Sequence, residues 1–377
     1  MNQKQTMTDS ERTARLALAL SEGIGPVRGK ILLDVFGSAG RALAARAGSL
    51  QERAGLPAKV AANLGRAWQR ALIELKRLTA LGGWVIVRGD DNYPELLAQI
   101  PDPPLALFGL GRLQAGDSQA LAVVGSRQAT DYGRRTTHRL ARELAGLGIC
   151  VVSGLAVGID TAAHEGALTG GGRTIAVLGC GLDVDYPLDN VGLKRRIADQ
   201  GAVLTEYPLG TKPHPGIFVG RNRIIAGLVQ GVVVAEASPR SGALITAGHA
   251  LDFGRTVMAV PGPLTDRRRE GTHALIRQGA ILVTSGREAA AEMWPQDGQP
   301  SLFDQEHHGD GGSAPEPSPE LQGEAAAIYS LLEASPRHID ELIRQSGLPS
   351  DKVQVVLLEL ELEGLVRQLP GQQFVKH

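Results

Sequence analysis

A doubly wound α/β fold on a parallel sheet is predicted by three features of the 377-residue sequence. Short runs rich in Val, Ile and Leu recur through the middle of the chain, as expected of strands buried on both faces. Segments of helical periodicity separate them, which implies βαβ units. From 121 to 286 the units are too few for a closed barrel of eight strand–helix pairs, so the sheet is open.

The front of the chain, residues 1–80, reads instead as a small helical domain. In LALALSEGIGPVRGKILLDVFGS, Leu16, Leu20, Ile24, Ile31, Leu32 and Val35 recur at helical spacings, broken by Gly23, Gly25 and Pro26. A second periodic stretch, AKVAANLGRAWQRALIELKRL, follows. GIGPVRGKIL (23–32) has the glycines and proline of a tight interhelical turn, with Arg28 and Lys30 beside it. Such a turn either joins two helices or, as in helix-hairpin-helix modules, offers backbone N–H groups to a phosphate.

The strand runs of the core, residues 81–295, are WVIV (84–87), LAVVG (121–125), ICVVSG (149–154), TIAVLG (174–179), AVLTE (202–206), VVVAEA (232–237), TVMAVPG (256–262) and AILVTSG (280–286). Residues 296–320 carry six acids, no Lys or Arg, and many Pro, Gly and Ser, the composition of a flexible acidic linker. His307 and His308 within it read as solvated rather than as metal ligands. From 321 to 377 three short helical patterns, the third with Ser350 as its N-cap, precede two strand patterns around Pro370–Gly371. That order is a winged helix-turn-helix.

Charge is distributed unevenly. Residues 1–80 hold thirteen Lys and Arg against six Asp and Glu, which points to an anionic partner at the front. The winged-helix segment holds five against eight, which removes the electrostatic attraction that dominates duplex binding. No uninterrupted apolar stretch approaches the roughly 18 residues of a membrane helix. Arg12 and Arg15 interrupt the apolar run at the start, so a signal peptide is not indicated and a cytoplasmic location is expected. Cys150 and Cys180 lie in apolar segments without CxxC or a His cluster, so neither a disulfide framework nor a zinc site is indicated.

The residues with chemical potential cluster at strand ends. VVGSRQATDYG (123–133) is the strand–loop–helix entry where such folds take phosphate: Gly125 permits a tight turn, Ser126 offers a hydroxyl and Arg127 a guanidinium fork. The alternative for Arg127 is an ion pair with a neighbouring acid. G-x-G-x-x-G is absent here and no phosphate-loop motif occurs anywhere, so a nucleotide cofactor is not expected. VVSGLAVGIDTAAH (151–164) repeats the pattern, with Ser153, Gly154 and Gly158 after a strand and Asp160 as N-cap of the helix holding His164. Asp160 and His164, four apart, share a helix face and resemble an acid–base pair, but no nucleophile stands in an elbow beside them. In FVGRNRIIAGL, Arg221 and Arg223 flank Asn222 at the opening of an apolar helix, where cations are disfavoured unless an anion compensates. On a helix the two arginines point apart, and either is alternatively paired with Glu206 or Glu236. EASPRSGALITAGHAL (236–251) is a further strand end, with Ser241 as N-cap and Gly242 opening the backbone. Together these ends build a polar cleft without a convergent catalytic set.

The ordered set of GSR with YG at 125–133, SGLAVGID with His164, VLGCGLDVDYP with Asn190, RNRIIAGL, EASPRSGALITA and GRTVMAVPG resembles DNA-processing protein A, the DprA/Smf family. The resemblance spans the core. It implies an extended Rossmann-like sheet, a front domain of SAM or helix-hairpin-helix type and a winged-helix tail. It also implies a cytoplasmic homodimer that binds and protects single-stranded DNA and loads RecA recombinase onto it during natural transformation, with no cofactor, no metal and no catalytic turnover. By that match Gly125, Ser126 and Arg127 line the DNA pocket. Ser153, Gly154, Arg221, Asn222, Arg223, Ser241 and Gly242 occupy other motif positions on the same edge, and Lys194 extends the set from the helix after Asn190. Val219 and Gly220 stand where the family usually has Pro, and His273 stands at its Asn position. The competing class is a nucleotide-processing hydrolase with Asp160, His164 or Glu236 as acid–base groups. The missing phosphate-loop lysine and paired carboxylates count against it.

Overall fold

A computed structural model describes residues 7–295, 323–332, 337–362, 365–369 and 372–376. The acidic linker of 296–320, with His307 and His308, and the Pro370–Gly371 turn lie outside these residues. The chain forms two compact units, Met1–Gln299 and Pro300–His377.

The first unit opens with helices α1 (Asp9–Ala19), α2 (Pro26–Phe36), α3 (Ala39–Ala44), α4 (Ala47–Ala54), α5 (Ala58–Asn63) and α6 (Ala67–Ala80). The GIGP segment is the α1–α2 turn: Gly23 has a φ of 82°, and Arg28 closes it by donating to the Gly23 carbonyl at 2.7 Å. Lys30 pairs with Asp34 on α2. Leu16, Ala67, Ala71 and Leu78 bury themselves with Val87, Phe108 and Val203 of the sheet and Leu178 just after one of its strands, so the helical front and the sheet share a core.

The sheet has nine strands: β1 (Trp84–Val87), β2 (Ala106–Gly111), β3 (Ala120–Gly125), β4 (Cys150–Ser153), β5 (Thr174–Val177), β6 (Ala202–Thr205), β7 (Gly231–Glu236), β8 (Thr256–Ala259) and β9 (Ile281–Leu282). The helices among them are α7 (Glu95–Ala98), α8 (Asp131–Gly146), α9 (Ile159–Thr169), α10 (Val191–Gln200), α11 (Pro215–Gly227), α12 (Gly242–Asp252), α13 (Glu270–Arg277) and α14 (Gly286–Met293). Strand order is β1-β2-β6-β5-β4-β3-β7-β8-β9. The run from β6 to β9 is parallel, and β1 and β2 add an antiparallel edge. This is the extended Rossmann-like sheet. β3 shows why the apolar runs are continuous: Ala120, Ala122 and Val124 pack on one face, Leu121 and Val123 on the other.

β2 is the strand the sequence reading passes over, because ALFGLG carries two glycines after a proline-rich stretch. Gly109 is required by packing: a Cβ there would stand 2.2 Å from Cζ2 of Trp84 on β1. The aromatic ring replaces the missing side chain.

The second unit contains α15 (Glu324–Leu331), β10 (Arg337–His338), α16 (Ile339–Ser346), α17 (Ser350–Leu362), β11 (Val366–Leu369) and β12 (Gln373–Lys376). Its three strands pair antiparallel in the order β10-β12-β11 over a core of Ile328, Leu342, Val353, Leu357, Leu360 and Phe374, a winged helix. Ser350 is the first residue of α17 rather than the residue before it. Among the described residues no helix is long and apolar enough to cross a membrane, and both cysteines are free and buried.

Candidate functional site

From β3 the chain proceeds to β4 on one side, and β7 pairs with β3 on the other. Adjacent strands whose crossovers diverge leave a crevice at their carboxyl ends. Here the crevice is a cleft of about 610 Å³ between the ends of β3 and β7, the starts of α9 and α12, and the first three turns of α11.

The 125–130 loop forms one wall, and its shape is fixed by glycine and by a buried acid. A Cβ on Gly125 would lie 2.6 Å from Ile159 Cγ1 and 2.8 Å from the Glu236 carbonyl oxygen. The Ser126 amide donates to that carbonyl at 2.8 Å, and the Ser126 hydroxyl accepts from the Gln128 amide. The Glu236 carboxylate, fully buried, accepts from the Thr130 amide and, at 2.6 Å, from its hydroxyl. Arg269, equally buried, pairs with Glu236 at 3.2 Å. Glu236 is therefore structural, and a buried charge held this way does not serve as a solvent-facing acid or base.

Arg127 projects from this loop into solvent and makes no ion pair among the described residues. Its guanidinium carbon lies 4.9 Å from the centroid of Phe218, a cation–π contact. Phe218 in turn lies on Gly179, where a Cβ would be 2.7 Å from the ring, and 5.6 Å from the ring of half-exposed Tyr186.

The opposite wall is α11. It begins at Pro215 with the His214 ring as cap, so Arg221 and Arg223 sit in its second and third turns and not at its opening. The expectation of an anion at that helix start is corrected accordingly. Phe218, Arg221, Asn222 and Ile225 form one helical stripe facing the cleft. Arg221 is only 4% exposed; it donates to the carbonyls of Gly154, at 2.7 Å, and Val177, while its Nε has no partner among the described residues. Burial pushes its pKa down and the facing Asp160 opposes that. Burial likewise pushes the Asp160 carboxyl up, with Arg221 opposing. Asn222 donates to the Gly242 carbonyl at 3.2 Å. Ser241 caps α12 as expected, accepting from the Ala243 amide, and a Cβ on Gly242 would meet nothing within 4 Å. That helix start faces the cleft.

Of the expected site residues, Gly125, Ser126, Arg127, Arg221, Asn222, Ser241 and Gly242 converge on the cleft, with Gly154 just beneath as the seat of Arg221. Three do not. Ser153 is fully buried and donates to the Val123 carbonyl at 2.7 Å. Lys194 is buried, donates to the carbonyls of Leu182 and Val184, and is pushed to a lower pKa by desolvation. Arg223 turns to the other side of α11, where it pairs with Asp102 at 2.8 Å and Glu206 at 2.7 Å. Asp160 is not the α9 N-cap: Gly158 is, with a φ of 92°, and Asp160 accepts from the Ala156 amide within the first turn. His164 is fully buried, and Thr174, whose hydroxyl hydrogen goes to the Val151 carbonyl, accepts from its Nδ1. Desolvation pushes its pKa down to about 3. Phe218 and Tyr186 went unread in the sequence, although the spacing of Phe218 to Arg221, Asn222 and Ile225 carries the signal.

A Rossmann-like core preceded along the chain by a helical segment and followed by a winged helix, with a cleft at the core's switch point, defines the architectural class. The family model of DNA recombination-mediator protein A matches residues 84–293, and that of the DprA winged helix domain matches 312–372. Protein Smf of Synechocystis sp. is 36% identical over 98% of this chain and 99% of its own. DNA processing protein DprA of Streptococcus pneumoniae is 48% identical over 54% of this chain and 72% of its own. The X-ray structure of the S. pneumoniae protein covers 77% of this chain and 99% of its own, at a TM-score of 0.67 and 36% identity. A Helicobacter pylori DNA processing protein A, solved for its single-stranded DNA binding mode, covers 56% of this chain and 94% of its own, at a TM-score of 0.51 and 31% identity. The chain belongs to the DprA/Smf family of DNA-processing proteins.

Proposed function

We propose that the switch-point cleft binds single-stranded DNA, protects it, and serves a homodimer that loads RecA recombinase onto the strand during natural transformation in the cytoplasm. The observation that carries the strand reading is Arg127, exposed and in no ion pair among the described residues, lying over Phe218 beside Tyr186, with the buried Asp160 carboxyl the acidic group near it. A guanidinium fork holds a phosphate, and aromatic rings accept the faces of unpaired bases, a combination suited to one strand irrespective of sequence. The empty space beside Gly242, at the start of α12 on the cleft, leaves room for a second phosphate near that helix's first N–H groups. The H. pylori relative, described as binding single-stranded DNA, supports the same reading.

Binding without turnover is favoured because the acid–base groups a hydrolase would use are occupied. Glu236 holds Thr130 and Arg269, His164 is buried against Thr174, and Asp160 faces Arg221. The deciding experiment titrates the full chain with single- and double-stranded oligonucleotides at several salt concentrations. Preference for the single strand, with intact oligonucleotide recovered, is expected. Equal binding to duplex, or strand cleavage abolished by His164→Ala, contradicts it.

A further inference from the structure

The first turn of α9 has two faces. Asp160 on one side borders the cleft, whereas Gly158 and Thr161 on the other line a second cavity of about 780 Å³, walled by α8 and by the starts of α9 and α10. The partition is thin: a Cβ on Gly158 would lie 2.5 Å from the Ser126 carbonyl oxygen and 2.7 Å from that of Arg127. The loop bearing Arg127 is thus the ridge between the two hollows.

Arg134 and Arg135 reach the second cavity from α8 and Arg196 from α10, all three exposed. Arg134 is held by Asp131 at 2.6 Å, while Arg135 and Arg196 have no ion-pair partner among the described residues. His138 lies near Thr169, and the opposing charges are Glu165 of α9 and Asp189 just before α10. The helix starts at Gly158 and Asn190 carry no side-chain cap, and a Cβ on Gly192 would meet nothing within 4 Å.

We propose that this cavity takes further phosphodiesters of the same single strand as it leaves the first cleft over Gly158, with Arg135 and Arg196 as the phosphate contacts. The proposal rests on the strand reading of the first cleft. Glu165 and Asp189 weaken the site for a free phosphate, but a strand already held at Arg127 arrives at high effective concentration and tolerates that opposition. Both arginines are exposed, so the fold does not depend on them.

The test uses the full chain and mixed-sequence single strands of about 6 and about 20 nucleotides, bracketing the roughly 4–16 nucleotides that compact single-strand sites occupy. Arg135→Ala/Arg196→Ala is expected to weaken the longer strand about tenfold and to flatten its salt slope by about 1.4, about 0.7 for each contact, while leaving the shorter strand unchanged. Arg135→Lys/Arg196→Lys should recover most of the loss, since the attraction is chiefly that of charge. No change on the longer strand, or an equal loss on both lengths, overturns the proposal. Competition by inorganic phosphate beyond its ionic-strength effect, abolished in the alanine variant, would assign the cavity to a free anion and also overturns it. A parent protein that binds neither length defeats the reading of the first cleft itself and is recognised before any variant is made.

Discussion

Gly154 is the seat of Arg221: a Cβ on Gly154 would stand 2.1 Å from Arg221 Nη1, and the Gly154 carbonyl accepts from that same nitrogen at 2.7 Å. The glycine after β4 thus places a buried cation under the cleft floor. Gly154→Ala should push the guanidinium out of its socket. Overpacking of this kind costs about 1–3 kcal/mol, readable as a lower denaturant midpoint, and strand affinity should fall with it. A Gly154→Ala protein as stable as the parent would mean that Arg221 has another resting place.

Arg223, two residues further along α11, should behave differently. Its partners are Asp102, partly exposed, and Glu206, mostly buried. Removing one member of a buried pair costs about 3–5 kcal/mol, and partial exposure here reduces that to about 2–3 kcal/mol. Arg223→Ala should therefore lower stability while the folded variant retains the salt slope of the parent in strand binding. A flattened slope would place Arg223 on the DNA.

His164 predicts an acid-side instability. Its pKa falls from 6.5 to about 3 on folding because burial disfavours the imidazolium. Between these values the unfolded chain binds the extra proton, so stability is full above pH 6.5 and is lost as pH falls toward 3. By pH 4 the loss from this group is about 3 kcal/mol. His164→Asn, which keeps a donor to Thr174, should remove that component, so that its denaturant midpoint falls less than the parent's between pH 7 and 4. Parallel profiles would show that His164 titrates normally.

The fold was legible where one physical rule dominates. Continuous apolar runs gave β3 to β8, and Ser241 announced the start of α12. β2 was missed because Gly109 makes room for a ring that arrives from another strand, a contact with no local signature. Around the cleft, Gly125 and Arg127 follow from strand-end position. The fates of Ser153, Lys194 and Arg223 were decided by tertiary partners, Val123, Leu182 and Asp102, which lie 10 or more residues away in sequence. Phe218 was hidden for the opposite reason: the cleft-facing stripe of α11 begins before its arginines.

The winged-helix tail should be dispensable for strand affinity. Residues 321–377 hold eight acids against five bases, and the exposed side of α17 presents Val355 and Leu358, each 56% exposed, beside Glu359. Such a surface releases few counterions from DNA. Deleting 321–377 should leave single-strand affinity within about twofold of the parent, well below the tenfold that 1.4 kcal/mol represents. A large loss in the folded truncation would make the tail part of the DNA site.

The most direct test of the cleft is a salt series on Arg127→Ala with mixed-sequence single strands, set beside Phe218→Ala. Loss of one phosphate contact should weaken binding by about 1–3 kcal/mol at every base sequence and flatten log affinity against log salt by roughly 0.7. Phe218→Ala, which removes a stacking face, should weaken binding by about 1–3 kcal/mol with the slope nearly preserved. If Arg127→Ala binds as tightly as the parent with an unchanged slope, the strand does not lie at the β3–β7 switch point.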